Sequence, residues 1–318
     1  MPKRYTAYTE RQKKYVWRPK KKDPPPPPWA ELPRDITANI LYRLGAEEVL
    51  KSAIMVCTSW RSACKDPAMW RVIDMSKSNT NFEDLEDMCC YAVNLSQGEL
   101  LDITIEDFGT DDLILHIAKR ASKLRRLRIV SCYGVSNECL SKAVSQLVSL
   151  QDLQIYFSDL SIKLIRTVGR SCPLLKSFTY NNYPCPPTLS DNKAIAVAKN
   201  MQGLHQLSLF GNSVTNKGVQ AILDGCPHLE SLDLRRCFNV TLEGDLDGKC
   251  KQIKDLKRPT DPFHDYEFLN YVSPNDEDYY AFDGYPLDYF DMYDYDDDDL
   301  DFDDDYDDGF HSDLSVDW

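Results

Sequence analysis

One spacing recurs through the middle of this chain and limits what it can fold into. It runs L-x-x-L-x-L-x-x-(C/N), with other apolar residues allowed in the leucine places. It reads Leu100, Ile103, Ile105, Phe108, then Leu124, Leu127, Ile129, Cys132, then Leu150, Leu153, Ile155, Ser158. It returns as Leu175, Phe178, Tyr180, Tyr183, as Leu204, Leu207, Leu209, Asn212, and as Leu229, Leu232, Leu234, Cys237. The starts lie 24, 26, 25, 29 and 25 residues apart. Incomplete units flank them at Trp70, Ile73, Met75 and at Ile253, Leu256. Such a unit is a short strand and a returning helix, and it cannot bury its apolar face alone. The units must therefore stack.

Side chains alternate along a strand, so positions 4 and 6 of each unit face the interior. Positions 3, 5 and 7 are expected to face outward on the concave side. A Cys or Asn at position 9 is placed to satisfy backbone groups where the strand ends. Val135-Ser136-Asn137, Val214-Thr215-Asn216 and Val240-Thr241 supply helix N-cap residues. Cys172-Pro173, Cys226-Pro227 and Cys250 are expected to close helices, since proline cannot continue one.

A different pattern precedes the repeats. Leu32-Pro33-Arg34-Asp35 opens a helix in which Ile36, Ile40 and Leu44 share one face, and Gly45 ends it. Val49, Leu50, Ala53 and Ile54 suggest a second short helix, and Val56, Cys57, Trp60 and Ala63 a third. Three short helices in about 40 residues expose more apolar surface than they can bury and need a partner.

Residues 29–70 resemble an F-box, carried by Leu32-Pro33, Asp35, Ile36, Ile40-Leu41, Leu44, Val49-Leu50, Val56-Cys57, Trp60-Arg61 and Trp70. The resemblance implies docking to the Skp adaptor, and through it to a cullin–RING ubiquitin ligase. The implied adaptor contacts are Leu32, Pro33, Ile36, Ile40, Leu44, Val56, Cys57 and Trp60. Gly45-Ala46 replaces the bulkier residues usual there. Residues 71–257 resemble the cysteine-containing leucine-rich repeat, most closely in Cys226-Pro-His-Leu229-Glu-Ser-Leu232-Asp-Leu234-Arg-Arg-Cys237. Together the modules resemble the plant Skp-interacting F-box proteins. The implied fold is α/β: a three-helix F-box, then a right-handed solenoid with parallel strands inside and helices outside.

The outward positions make the concave face the expected seat of a protein substrate. Arg126, Arg128, Tyr156, Phe210, Asp233 and Arg235 are its candidate contacts, with Tyr156 and Phe210 read as exposed aromatics. Tyr183-Pro-Cys-Pro-Pro-Thr188 lengthens one turn and is either a substrate contact or a neutral insertion.

Composition bounds the rest. Formal net charge is −14, yet residues 29–260 hold 28 basic and 27 acidic residues. The acidity lies in residues 261–318, with 22 Asp and Glu and no Lys or Arg, among many Tyr and Phe. Like charges so close repel, so residues 258–318 are expected to form a disordered tail. That tail is a solvating brush, a lure for basic partners, or a segment folding back on the basic arm. Residues 1–28 hold nine basic residues and end in five prolines, a stiff spacer or an SH3-type ligand. Lys20-Lys21-Lys22 is either a nuclear localisation signal or a solvated arm.

No apolar run reaches the roughly 18 residues of a membrane helix, and no secretory signal is expected. Eleven scattered cysteines argue for a reducing nuclear or cytoplasmic home rather than a disulfide framework. Cys89-Cys90 lacks a second pair for zinc. His116, His205, His228, His264 and His311 sit beside no nucleophile, and no phosphate-cradling glycine loop occurs. The expectation is a non-catalytic protein with no cofactor, no metal, and neither nucleic acid nor membrane as partner. An acidic-tailed repeat protein that binds histones, with no ligase role, is the alternative.

Overall fold

The computed structural model describes residues 28–76, 80–182 and 190–269. The basic arm, the Tyr183–Thr188 turn and the acidic tail beyond residue 269 lie outside the described residues. In sequence the chain divides into two units, Met1–Phe263 and His264–Trp318. In the second, the rings of Tyr266 and Phe268 pack edge to face, 6.0 Å apart.

Helix α1 (Arg34–Leu44) starts after Pro33 and stops at Gly45, whose φ of 82° is open to glycine at no steric cost. Helix α2 (Ala46–Lys51) is shorter than the apolar pattern suggests, because Ala53–Met55 forms a separate 3-10 turn. Helix α3 is Thr58–Cys64. Val56 and Cys57 precede it, and the Cys57 sulfur caps it by accepting from the Trp60 N–H at 3.5 Å. Leu41, Val49, Ala53, Ala63 and Cys64 make the small core of this module. The buried Trp70 indole N–H donates to the Cys64 carbonyl at 2.7 Å, tying the module to the first strand.

Among the described residues, eight strands form one parallel sheet in chain order. They are β1 (Val72–Met75), β2 (Asp102–Glu106), β3 (Arg126–Val130) and β4 (Asp152–Tyr156), followed by β5 (Ser177–Asn181), β6 (Gln206–Ser208), β7 (Ser231–Asp233) and β8 (Asp255–Lys257). The register aligns Ile73, Ile103, Leu127, Leu153, Phe178, Leu207, Leu232 and Leu256 in one row. All but Leu256 are buried, so position 4 is the spine of the core. Position 6 makes a second buried row, from Met75 and Ile105 to Leu234. The returning helices are α4 (Phe82–Leu95), α5 (Asp111–Arg120), α6 (Asn137–Val144), α7 (Ile162–Ser171), α8 (Asn192–Asn200), α9 (Asn216–Gly225) and α10 (Gly244–Cys250).

Position 9 acts as its residue types require. The Cys132 thiol donates toward Ile105 O (3.8 Å), Cys237 to Leu209 O (3.0 Å), and Asn212 Nδ2 to Tyr180 O (2.7 Å). Each acceptor is the position-6 carbonyl of the preceding unit. Thr110, Ser136, Ser161 and Thr215 cap their helices. Thr241 does not: α10 begins at Gly244, itself at φ 57°, with Glu243 at its cap. Cys172 and Cys226 cap α7 and α9 at the C-terminal end, and Cys250 is the last residue of α10.

A second ladder joins the helix starts. Asp111 accepts from Ser136 N (2.7 Å) and Oγ (2.8 Å), and Asn137 from Ser161 N (2.9 Å). Asp191 accepts from Thr215 N (2.8 Å), and Asn216 from Thr241 N (2.8 Å). The residue at one helix start thus anchors the next unit's turn. The ladder skips α7, where Ile162 has no acceptor to offer, just before the 29-residue unit.

The repeat also runs further than Ile253 and Leu256 indicate. Position 8 N–H groups donate to the position-7 carbonyl of the next unit throughout: Asp107 to Val130, Ser131 to Tyr156, Phe157 to Asn181, Asn182 to Phe210, Gly211 to Arg235 and Arg236 to Pro259. Asp261 N donates to Arg258 O (3.1 Å), as Cys237 N does to Leu234 O (3.0 Å). Residues 253–261 therefore keep repeat geometry through position 9.

Leu232 is fully buried in the position-4 row. Leu232→Ala is expected to lower unfolding free energy by about 2–5 kcal/mol, measured by chemical denaturation. A loss under about 0.5 kcal/mol, the scale of surface sites, contradicts this register.

Candidate functional site

Helix α1 divides its apolar residues between two faces. Thr37 and Leu41 point inward, with Leu41 fully buried. Ile36, Ile40 and Leu44, one turn apart, remain 46, 36 and 43% exposed. Val56 (45%) and Met55 (70%) are likewise uncovered. Leu32, Cys57 and Trp60 are half-buried and Pro33 is exposed. The Trp60 indole N–H donates to Trp29 O at 3.3 Å, and Arg61 Nε to Ile54 O at 3.2 Å, so polar bonds fix the chain around these apolar groups. Fully burying one such side chain is worth roughly 1.5–3 kcal/mol. Met55 escaped the sequence reading because it lies in the 3-10 turn between two short helices and shares no periodic stripe.

The concave face needs a correction. Position 3 behaves as expected: Arg126 is exposed and lies in register between Asp102 and Asp152. It donates to Asp102 at 2.8 Å and to Asp152 at 2.9 Å. Burial pushes the Asp102 carboxyl above its ordinary range despite Arg126 beside it. Arg128 is half-buried, its guanidinium 5.1 Å from the centre of the Tyr156 ring.

Tyr156 and Phe210 are not exposed aromatics: they are 9% and 0% exposed. Arg235, at 3%, is buried as well. All three sit at position 7, and so do the buried Glu106, Val130 and Asn181. The cause is the residue that follows. Position 8 takes left-handed φ in Asp107 (71°), Ser131 (51°), Phe157 (59°), Gly211 (74°) and Arg236 (61°). The strand ends there, and alternation no longer places position 7 in solvent. For residues other than glycine this conformation costs about 1–2 kcal/mol. The position-8 N–H bonds to the next unit offset it.

Among these buried groups Arg235 is ion-paired: Nη2 and Nε lie 2.7 and 3.0 Å from Asp233. Asp233 itself is half-buried. Asn181 Oδ1 accepts from Ser208 Oγ (2.8 Å) and Phe210 N (3.0 Å).

The cysteines are built into the repeat turns. Burial pushes the Cys132 and Cys237 thiols up to about 12, and the Cys172 and Cys226 thiols to about 11. Burial with Asp111 nearby does the same to Cys139, to about 12. Cys89 is raised further by burial and by its neighbour Cys90. Among the described residues, no group of three or more His, Cys, Asp and Glu is arranged to hold a metal ion. His205 and His228 stack with ring centres 6.1 Å apart, at the edge of adjacent units. No helix of the described residues is long and apolar enough to cross a membrane.

Comparison with known proteins agrees with both modules. Residues 29–76 match the F-box-like family. F-box/LRR-repeat protein 23 of Arabidopsis thaliana is 47% identical over 76% of this chain and 55% of its own length. The F-box protein SKIP19 of the same plant is 44% identical over 80% of this chain and 83% of its own length. F-box/LRR-repeat protein 22, also from Arabidopsis, is 41% identical over 76% of this chain and 80% of its own length. The chain thus spans about half of the first relative and most of the other two.

A thiol of pKa about 12 is ionised in only about one molecule in ten thousand at pH 8, and the thiolate is the nucleophile. Cys132, Cys139 and Cys237 are expected to resist iodoacetamide in the folded protein and to react fully in guanidinium chloride. Mass spectrometry of digested protein reads this, and the partly exposed Cys57 should label before these three.

Proposed function

The chain belongs to the F-box/leucine-rich-repeat family, and we propose that it is a substrate-recognition subunit of a Skp–cullin–F-box ubiquitin ligase. Residues 29–70 dock the Skp adaptor, residues 71–261 present a protein substrate, and the arm 1–28 and the tail beyond residue 261 flank them. The observation that carries this reading is the uncovered stripe of Ile36, Ile40 and Leu44 on a helix whose other face is packed. A helix that buries Leu41 completely while leaving three large apolar residues in water fits a preformed docking face. Leu32, Pro33, Val56, Cys57 and Trp60 border it, and Met55 extends it.

The chain itself carries out no chemistry on this reading. It holds the substrate beside a ubiquitin-loaded partner enzyme, which raises the effective concentration of substrate lysines. Arg126, Arg128 and Asp233 offer the accessible polar contacts of the concave face, with Tyr156, Phe210 and Arg235 behind them. Ubiquitination and degradation of the substrate follow in the nucleus or cytoplasm.

Ile36→Asp with Ile40→Asp puts two charges into the stripe without touching the core. Capture by purified Skp adaptor is expected to fall at least tenfold, a loss of about 1.4 kcal/mol or more. Circular dichroism and thermal midpoint should barely change, since surface substitutions usually shift stability by no more than about 0.5 kcal/mol. Undiminished capture contradicts the assignment and favours a repeat protein outside any ligase.

A further inference from the structure

The chain departs from the repeat at Pro262. In the preceding unit the corresponding residue, Phe238, is 56% exposed. Instead, Pro262 and Phe263 turn back onto position-7 and position-8 side chains. Arg235 Nη1 donates to Pro262 O at 3.4 Å. The Phe263 ring stands edge-on to Phe210, 6.0 Å between centres, although Phe210 lies two units earlier. The Arg236 guanidinium lies 5.0 Å from the centre of Phe263 and 5.6 Å from that of Phe238. Arg235 lies 5.7 Å from the centre of Phe210. Two guanidiniums and three aromatic rings therefore line up in one row: Arg235, Phe210, Phe263, Arg236, Phe238.

A cap serving only to close the solenoid would lay apolar side chains on the apolar interior rows. This one lies on two arginines and an aromatic ring at the edge of the concave face. What Pro262-Phe263 supplies there is a main-chain carbonyl for a guanidinium and a ring for the gap between Phe210 and Arg236. Any extended peptide with a well-placed aromatic residue can supply both. An Asp or Glu at that place keeps the main-chain carbonyl and adds a side-chain carboxylate one residue before the ring, and hydrogen bonds between ionised groups are shorter and stronger than those to a neutral carbonyl.

We infer that this row is a peptide-recognition surface held by the chain's own Pro262-Phe263, and that its partner is an extended substrate segment in which Asp or Glu directly precedes Phe, Tyr or Trp. This rests on the reading that the repeats present substrate. The internal dipeptide competes at an effective concentration on the millimolar scale, as for short tethers. External peptide therefore binds with an affinity reduced by the fraction of molecules in which the row is open. The surface is selective for segments that outbid an internal phenylalanine.

The test uses the full chain and a fluorescein-labelled peptide of residues 258–263 carrying Pro262→Asp, with the unchanged peptide as comparison. Fluorescence anisotropy is read on wild type, on Phe263→Ala, and on Asp261→Ala. The last substitution removes the 2.7 Å bond from Arg258 N that shapes the turn while leaving the row intact. Both variants are expected to bind the Asp-bearing peptide at least tenfold more tightly than wild type, and more tightly than the unchanged peptide. Adding Phe210→Leu, which keeps bulk but removes the ring, is expected to abolish that gain. If Phe263→Ala does not fold by circular dichroism, Asp261→Ala decides alone. Equal binding by wild type and variants, or a gain that survives Phe210→Leu, overturns the inference. Skp-adaptor capture run in parallel separates the two readings. Its loss in wild type contradicts the ligase assignment alone, while peptide binding decides the row.

Discussion

Everything in the repeat domain depends on parallel strands stacking in register. A single unit holds two interior apolar residues on a strand of three to five, too little to offset the entropy of ordering about 25 residues. In register, Leu127 lies between Ile103 and Leu153, and each strand covers its neighbours' interior side chains. Side-chain bonds reinforce the stacking at both ends of the strand–helix unit. Cys132, Asn212 and Cys237 reach back to the position-6 carbonyl of the unit before, while Asp111, Asn137, Asp191 and Asn216 hold the turn of the unit after. The units that begin at Leu124 and Leu204 are thereby bonded in both directions. The interruption at Ile162 marks where one of these bonds is missing, next to the longest unit.

The helical module at the start depends on a different balance. It is too small to bury both faces of α1, so its core is drawn from Leu41, Val49, Ala53, Ala63 and Cys64, and the Ile36 face is left in water. Trp70 fastens this module to β1 through the bond to Cys64. On the proposed reading, a rigid attachment is what a receptor needs, since it holds the substrate-bearing sheet at a fixed orientation to whatever covers α1.

The parts of this architecture visible in the sequence are those governed by periodicity. Positions 4 and 6 were legible because alternation along a strand is strict, and the α1 stripe because Ile36, Ile40 and Leu44 fall on one helical face. Position 9 was legible because Cys and Asn are small donors placed where a strand ends. Position 7 was misread because the left-handed backbone at position 8 leaves no reliable trace. Phe157 and Arg236 adopt it although neither residue type signals it. The continuation of the repeat to Asp261 was also hidden, since its bonds are made by the main chain of Arg236, Arg258 and Pro259. The contact between Phe263 and Phe210 joins residues 53 apart in sequence, beyond the reach of any local pattern.

The central claim is that the uncovered face of α1 is the docking surface and that the repeats are a stable scaffold behind it. Hydrogen exchange of the full chain, alone and with purified Skp adaptor, tests this most directly. The account predicts slowed exchange in α1 and across Met55–Trp60 on adding adaptor, with strands β2 to β7 strongly protected in both conditions. Unchanged exchange in α1, or slowing confined to the strands, would contradict it.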